Sequence, residues 1–151
     1  MSPEMILKYM LFAALCIAAV EDIAMREIHL QYVGGFFILG CLGQFLCSPV
    51  SFLSFGGGIG VGALLYLISL VWSPSFGAGD AYIIGMCGAY LGFFGTLYLC
   101  MGAFLLAAFV GLLVILQRGL RTGRIEKGMT LPFVPFLMSV YAAMLIAERL
   151  K

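Results

Sequence analysis

Charge is scarce in this sequence. Asp, Glu, Lys and Arg make up 10% of its 151 residues, 64% are hydrophobic, and the mean hydropathy is +1.15. A soluble domain carries about one quarter charged residues, so the composition points to a chain built for a bilayer. The formal net charge is only +1, and no basic stripe exists outside one short loop, which argues against a nucleic-acid partner. CxxC pairs and Cys/His clusters are missing too. Cys16, Cys41, Cys47, Cys87 and Cys100 all lie in apolar runs, so they read as free thiols acting as small hydrophobes, with no disulfide framework, metal or cofactor expected. The glycine runs lack both a preceding strand and a following GK[ST], which excludes a phosphate loop. No positive charge precedes the first apolar run, and Glu4 does, against the pattern of a cleaved signal peptide. Ser2-Pro3-Glu4 reads instead as the capped start of a retained span.

A spanning helix needs about 20 mostly apolar residues. On that measure six spans are expected, near 5–20, 30–47, 51–72, 81–95, 96–116 and 131–147. The connections are short, so the expected architecture is all-α: one integral-membrane bundle of six helices, a single domain over 1–151. Arg26, Arg118, Arg121, Arg124 and Lys127 fall on one side of the six crossings, and Lys8, Arg149 and Lys151 on the other. The positive-inside rule puts the first side, with the loop QRGLRTGRIEKGMT, in the cytoplasm and both termini outside. Glycines in FGGGIGVG (55–62), and Gly85, Gly88 and Gly92, recur at helix spacing. Lipid gives helices no hydrophobic reason to associate, so small residues that let backbones approach closely read as packing faces.

The acids are distributed unevenly. Glu4 and Glu148 sit at the outer ends, where solvent accounts for them, and Glu126 balances charge in the basic loop. Glu21, Asp22 and Glu27 follow the first span, and Asp80 follows the third; all four fall at the cytoplasmic boundary. An ionisable group there is costly unless it faces the bundle interior or a watery cavity. Asp22 and Asp80 stand at equal depth on two helices. Brought together, they share one proton, and such a pair activates water while protonating a leaving amide. Glu21 neighbours Asp22, but adjacent helical positions point about 100° apart, so only one of them meets a partner acid. Gly77-Ala78-Gly79, just before Asp80, permits a sharp turn and close backbone approach. A plain membrane-surface turn would use the same residues.

Three stretches bear on that choice. FGAGD (76–80) precedes an apolar helix that carries Gly88-Ala89-Tyr90-Leu91-Gly92. Asp22 is followed at the appropriate interval by Ile28, and Leu131-Pro132-Phe133-Val134-Pro135-Phe136-Leu137 opens the last span. Together, in this order, they resemble the type IV prepilin peptidases, membrane aspartyl proteases with a GxGD motif. The resemblance implies an endopeptidase that removes a basic leader from type IV prepilin-like precursors at the cytoplasmic face of the cell membrane. It also implies Asp22 and Asp80 as the catalytic pair and Gly77 and Gly79 as motif support. Two departures stand out: His29 and Leu30 replace the usual Pro-Asn, and Tyr82 replaces the usual Lys. The loop after the first span is too short for the cysteine-rich insert of larger relatives, so a peptidase without N-methyltransferase activity is expected.

Pro132, Phe133 and Pro135 are expected to interrupt regular helix at membrane depth, which is tolerated where the chain lines a cavity; they are candidates for a wall of the substrate cleft. Glu27 reads as solvated or as a contact for a basic leader. Tyr82 reads as a neighbour of Asp80 or an interfacial aromatic anchor, and His29 as an interfacial residue. Two rivals remain open. A small transporter or channel subunit would place acids near the bilayer centre, where this chain has only Gln44 and small hydroxyls. A catalytically inactive scaffold would keep the peptidase fold, as the departures at His29, Leu30 and Tyr82 allow. The partners expected are a prepilin-like precursor and membrane lipid.

Overall fold

The computed structural model describes residues 3–25, 29–47, 50–72, 77–122 and 132–150, the side chains of 72 and 118–122 excepted. All regular structure among them is helical: α1 (Pro3–Met25), α2 (Leu30–Cys47), α3 (Phe52–Trp72), α4 (Ala78–Thr122) and α5 (Val134–Arg149). Three of these, α2, α3 and α4, are long and apolar enough to cross a membrane. Helix α1 buries Leu11, Ala14, Leu15, Ala18 and Ala19, an i, i+3, i+4 pattern that turns one stripe towards the bundle. It runs antiparallel to α5. The Tyr141 hydroxyl donates to the Lys8 carbonyl at 3.0 Å near one end, and Asp22 meets Val134 near the other.

Close packing of α3 on α4 rests on glycine. A Cβ at Gly58 would lie 2.6 Å from the Gly88 carbonyl oxygen, and one at Gly62 would run into the Gly85 backbone. The two helices therefore touch backbone to backbone, the mode of association that lipid leaves available. On α2, a Cβ at Gly40 would press on the Tyr90 ring, and the Tyr90 hydroxyl donates to the Phe36 carbonyl at 2.7 Å. Gln44 is buried, and its amide donates to the carbonyl of Val50, fastening the end of α2 to the start of α3.

Helix α4 is two arms. Gly92 has φ 67° and ψ −172°, a region essentially closed to residues with a Cβ. A straight helix would put Phe104 about 36 Å from Asp80 at 1.5 Å per residue. Instead the Phe104 ring stacks on Phe133 with centroids 4.9 Å apart, and the next residue, Val134, bonds Asp22. The chain turns back at Gly92. The interruption leaves its backbone groups paired: the Phe93 N–H donates to Ser54 Oγ at 3.0 Å, and the Thr96 hydroxyl, fully buried, donates to the Gly92 carbonyl at 2.7 Å. Such pairing is what tolerates a helix break away from water.

Several boundaries differ from those expected of the sequence. Helix α1 continues past 20 to Met25, because Glu21, Ala24 and Met25 are good helix formers and the charges of Glu21 and Asp22 do not end a helix. The break in α4 falls at Gly92, not after 95, since the reversal needs the one residue that accepts its dihedrals. The first arm, 78–91, is shorter than a full span. Helix α5 starts at Val134, not 131, and Pro135 does not interrupt it: it occupies the first turn, where a proline's missing N–H costs nothing. Glu148 is not merely solvated but paired with Lys8.

Candidate active site

Asp22 lies in the last turn of α1, three residues before its end. Its Oδ2 accepts the N–H of Val134, the first residue of α5, at 3.1 Å. The first N–H groups of a helix have no partner within it, and α5 has no side-chain cap of its own at Phe133. Asp22 supplies that cap from another helix, at the positive end of the α5 dipole. This contact draws the Pro132–Pro135 stretch to the side of Asp22, with the Phe133 ring stacked on Phe104.

Asp80 is in the first turn of α4, and its N–H donates to the Gly77 carbonyl at 3.0 Å. Both Asp22 and Asp80 are half-buried, and their carboxyls lie within reach of each other's charge. Gly77 touches the site lightly: a Cβ there would come 3.4 Å from Asp80 Oδ2. Gly79 is half-buried in the same turn.

The neighbouring acid turns elsewhere. Glu21 accepts the backbone N–H of His29 at 3.4 Å, and its other oxygen is 3.7 Å from His29 Nδ1. Glu21 thus ties α1 to the start of α2, while Asp22 faces α5 and α4. The roughly 100° step between adjacent helical positions gives the two acids different partners.

Tyr82 does not join the two aspartates. Two residues beyond Asp80, it points about 200° away around the helix, and its ring sits against Tyr66 of α3, centroids 5.1 Å apart. Glu27 lies outside the described residues. The sequence reading missed two features. The cap given by Asp22 to α5 had a usable signal, an acid near a helix end and a Pro-rich helix start with no capping side chain. Tyr66 had none beyond being aromatic near the end of an apolar run.

No curated protein and no solved structure matches the chain. The sequence model of the type IV leader peptidase family matches residues 9–116. That stretch takes in Asp22, Asp80 and both glycines of the FGAGD turn, and ends before α5. Because the match covers more than two thirds of the sequence, the chain belongs to the type IV leader peptidase family.

Proposed function

We propose that this protein is a membrane-embedded aspartic endopeptidase that cleaves the leader from type IV prepilin-like precursors, with Asp22 and Asp80 as its catalytic pair. What supports this reading is that Asp22 and Asp80, half-buried near the ends of α1 and α4, lie within reach of each other's charge and inside the stretch that the family model matches. An ionised carboxylate accepts an N–H more strongly than a neutral acid does. The Val134 N–H on Asp22 therefore favours Asp22 as the base and Asp80 as the acid. Asp22 takes a proton from water, whose oxygen attacks the scissile carbonyl, while Asp80 protonates the carbonyl oxygen. The tetrahedral diol then collapses: the leaving nitrogen takes the proton held by Asp22, the C–N bond breaks, and one hydroxyl of the diol returns its proton to Asp80 as the carbonyl re-forms. No metal, nucleophilic side chain or cofactor enters these steps, and no methyl transfer is expected.

In this reading the whole chain is one domain that crosses the bilayer six times, the two arms of α4 counting as separate crossings. Asp22, Asp80 and the start of α5 lie at the cytoplasmic boundary, and both termini lie outside. The precursor's hydrophobic helix enters the bilayer beside the bundle while its basic leader stays in the cytoplasm, so the scissile bond rests at the depth of the two acids. Co-expression with a cognate precursor tests it. Asp22→Asn and Asp80→Asn each abolish the size shift while the enzyme still accumulates in the membrane; processing by either variant rules out the pair.

A further inference from the structure

The proposed pair has a groove beside it whose chemistry differs from that of the hollow between α1 and α5. It opens between α2 on one side and α3 and α4 on the other, with a volume of about 450 Å³. Its cytoplasmic end is bounded by Leu30, Tyr66, Ala81 and Tyr82, and Ala81 is the residue next to Asp80. Its floor is made of small residues, Gly34 and Ala63 among them, and no charged side chain lines it. The larger hollow, between α1 and α5, is rimmed by Glu4, Lys8, Glu148 and Arg149 and lies at the end of α1 remote from Asp22. Gly34 marks the groove as space the chain leaves open: a Cβ there would meet nothing within 4 Å. By contrast, Gly40 and Gly43 on the same helix are filled by Tyr90 and Leu7.

We infer that this groove holds the first turns of the precursor's hydrophobic helix, and that Tyr66 and Tyr82 receive the helix's N-terminal end just beyond the scissile bond. The inference rests on the peptidase reading for the identity of the occupant. Charge argues for it: an uncharged apolar helix loses nothing in an uncharged groove, and it would have to bury against four ions in the other. Continuity argues for it as well, since a helix lying in the groove ends at Ala81 and delivers the preceding residues to Asp80. The N-terminus of that helix carries N–H groups without intrahelical partners, and at membrane depth each needs an acceptor. The hydroxyls of Tyr66 and Tyr82, rings 5.1 Å apart, supply acceptors at that end. A lysine at position 82 would bring only donors, so the tyrosine gives this chain a different selection: a precursor with no acidic side chain in its first helical turn.

The test uses the full-length enzyme in lipid nanodiscs with a full-length precursor. Gly34→Leu, which puts a side chain into the groove where a Cβ meets nothing within 4 Å, raises KM about tenfold, the equivalent of one lost anchor contact. Gly35→Leu, equally open to substitution but outside the groove, leaves KM unchanged. Tyr82→Phe raises KM about fivefold, the loss of one hydrogen bond. A photo-reactive side chain at position 63 cross-links to the precursor's hydrophobic segment, and one at position 145, between α1 and α5, does not. Wild-type KM for Gly34→Leu, or cross-linking at 145 in place of 63, overturns the groove. Cross-linking needs no cleavage, so the two readings separate. A cross-link at 63 with no processing by the wild type sinks the peptidase and keeps the groove. Processing with no cross-link at 63 does the reverse.

Discussion

The backbone N–H of Val134 is donated to Oδ2 of Asp22 at 3.1 Å. One carboxylate therefore caps α5, and under the proposed function it is also half of the catalytic pair, so different replacements at Asp22 divide a structural from a chemical consequence.

Asp22→Asn keeps an oxygen that accepts the Val134 N–H, whereas Asp22→Ala leaves that N–H without a partner. The alanine variant is expected to lose about 1–2 kcal/mol, as for a lost helix cap, and the asparagine variant less than half of that. Both lose processing by about 10²–10⁴, the contribution of a positioned general base. Thermal unfolding in detergent alongside a precursor-cleavage assay reads the two effects. If the asparagine variant is as inactive as alanine but clearly more stable, the cap and the chemistry are separate functions of one side chain.

Gly92 and Gly60 make an opposed pair. Alanine at 92 would have to hold φ 67° and would place its Cβ 2.6 Å from both Ser54 Oγ and Val50 Cγ1. The dihedral alone costs about 1–3 kcal/mol, with the overlap added. Gly60 is helical, and a Cβ there meets nothing within 4 Å; Gly60→Ala is expected to stabilise by about 0.5–1 kcal/mol. Melting temperatures of the two variants should move in opposite directions. An unchanged melting temperature for Gly92→Ala would mean that α4 does not turn back there.

These positions also show what the sequence conveyed. Backbone contact at Gly58 and Gly62 of α3 against Gly88 and Gly85 of α4 was legible, because glycines at helix spacing in apolar runs have few uses in lipid other than close approach. The two acids stood out as candidates because charge is rare here and both stand near helix ends. The position of the break in α4 was not. Gly92-Phe93-Phe94-Gly95 offers two glycines, and the choice of Gly92 depends on Ser54 and Thr96, one of them from another helix, receiving the freed backbone groups. The direction of Tyr82 was equally hidden, since its neighbour Tyr66 belongs to α3 and nothing in either local sequence pairs them. The Lys8–Glu148 pair joins residues near opposite ends of the chain, beyond the reach of local pattern.

Ser54→Ala tests the break more gently than Gly92→Ala. It removes the acceptor for the Phe93 N–H and adds no bulk. The N–H is left unpaired beside the turn, at an expected cost of about 1–3 kcal/mol. Ser54→Thr keeps the hydroxyl and should recover part of that stability. Hydrogen exchange at the Phe93 amide, measured in nanodiscs, should rise in the alanine variant and less in the threonine variant. Equal exchange in wild type and Ser54→Ala would show that the serine does not hold the break.

Glu21 is the internal control for the aspartate assignment. It adjoins Asp22 in sequence, yet its oxygens face the His29 backbone N–H and Nδ1, and neither Val134 nor Asp80 is its partner. Glu21→Gln keeps an acceptor for the His29 N–H and removes the charge. The variant should therefore process precursor within about twofold of wild type, while loosening the start of α2 by no more than the roughly 0–1 kcal/mol of a surface polar contact. His29→Ala should behave in the same way. A loss of activity in Glu21→Gln matching that of Asp22→Asn would mean that the acid facing Asp80 during the reaction is Glu21, and that α1 rotates by about one residue's 100° step to present it.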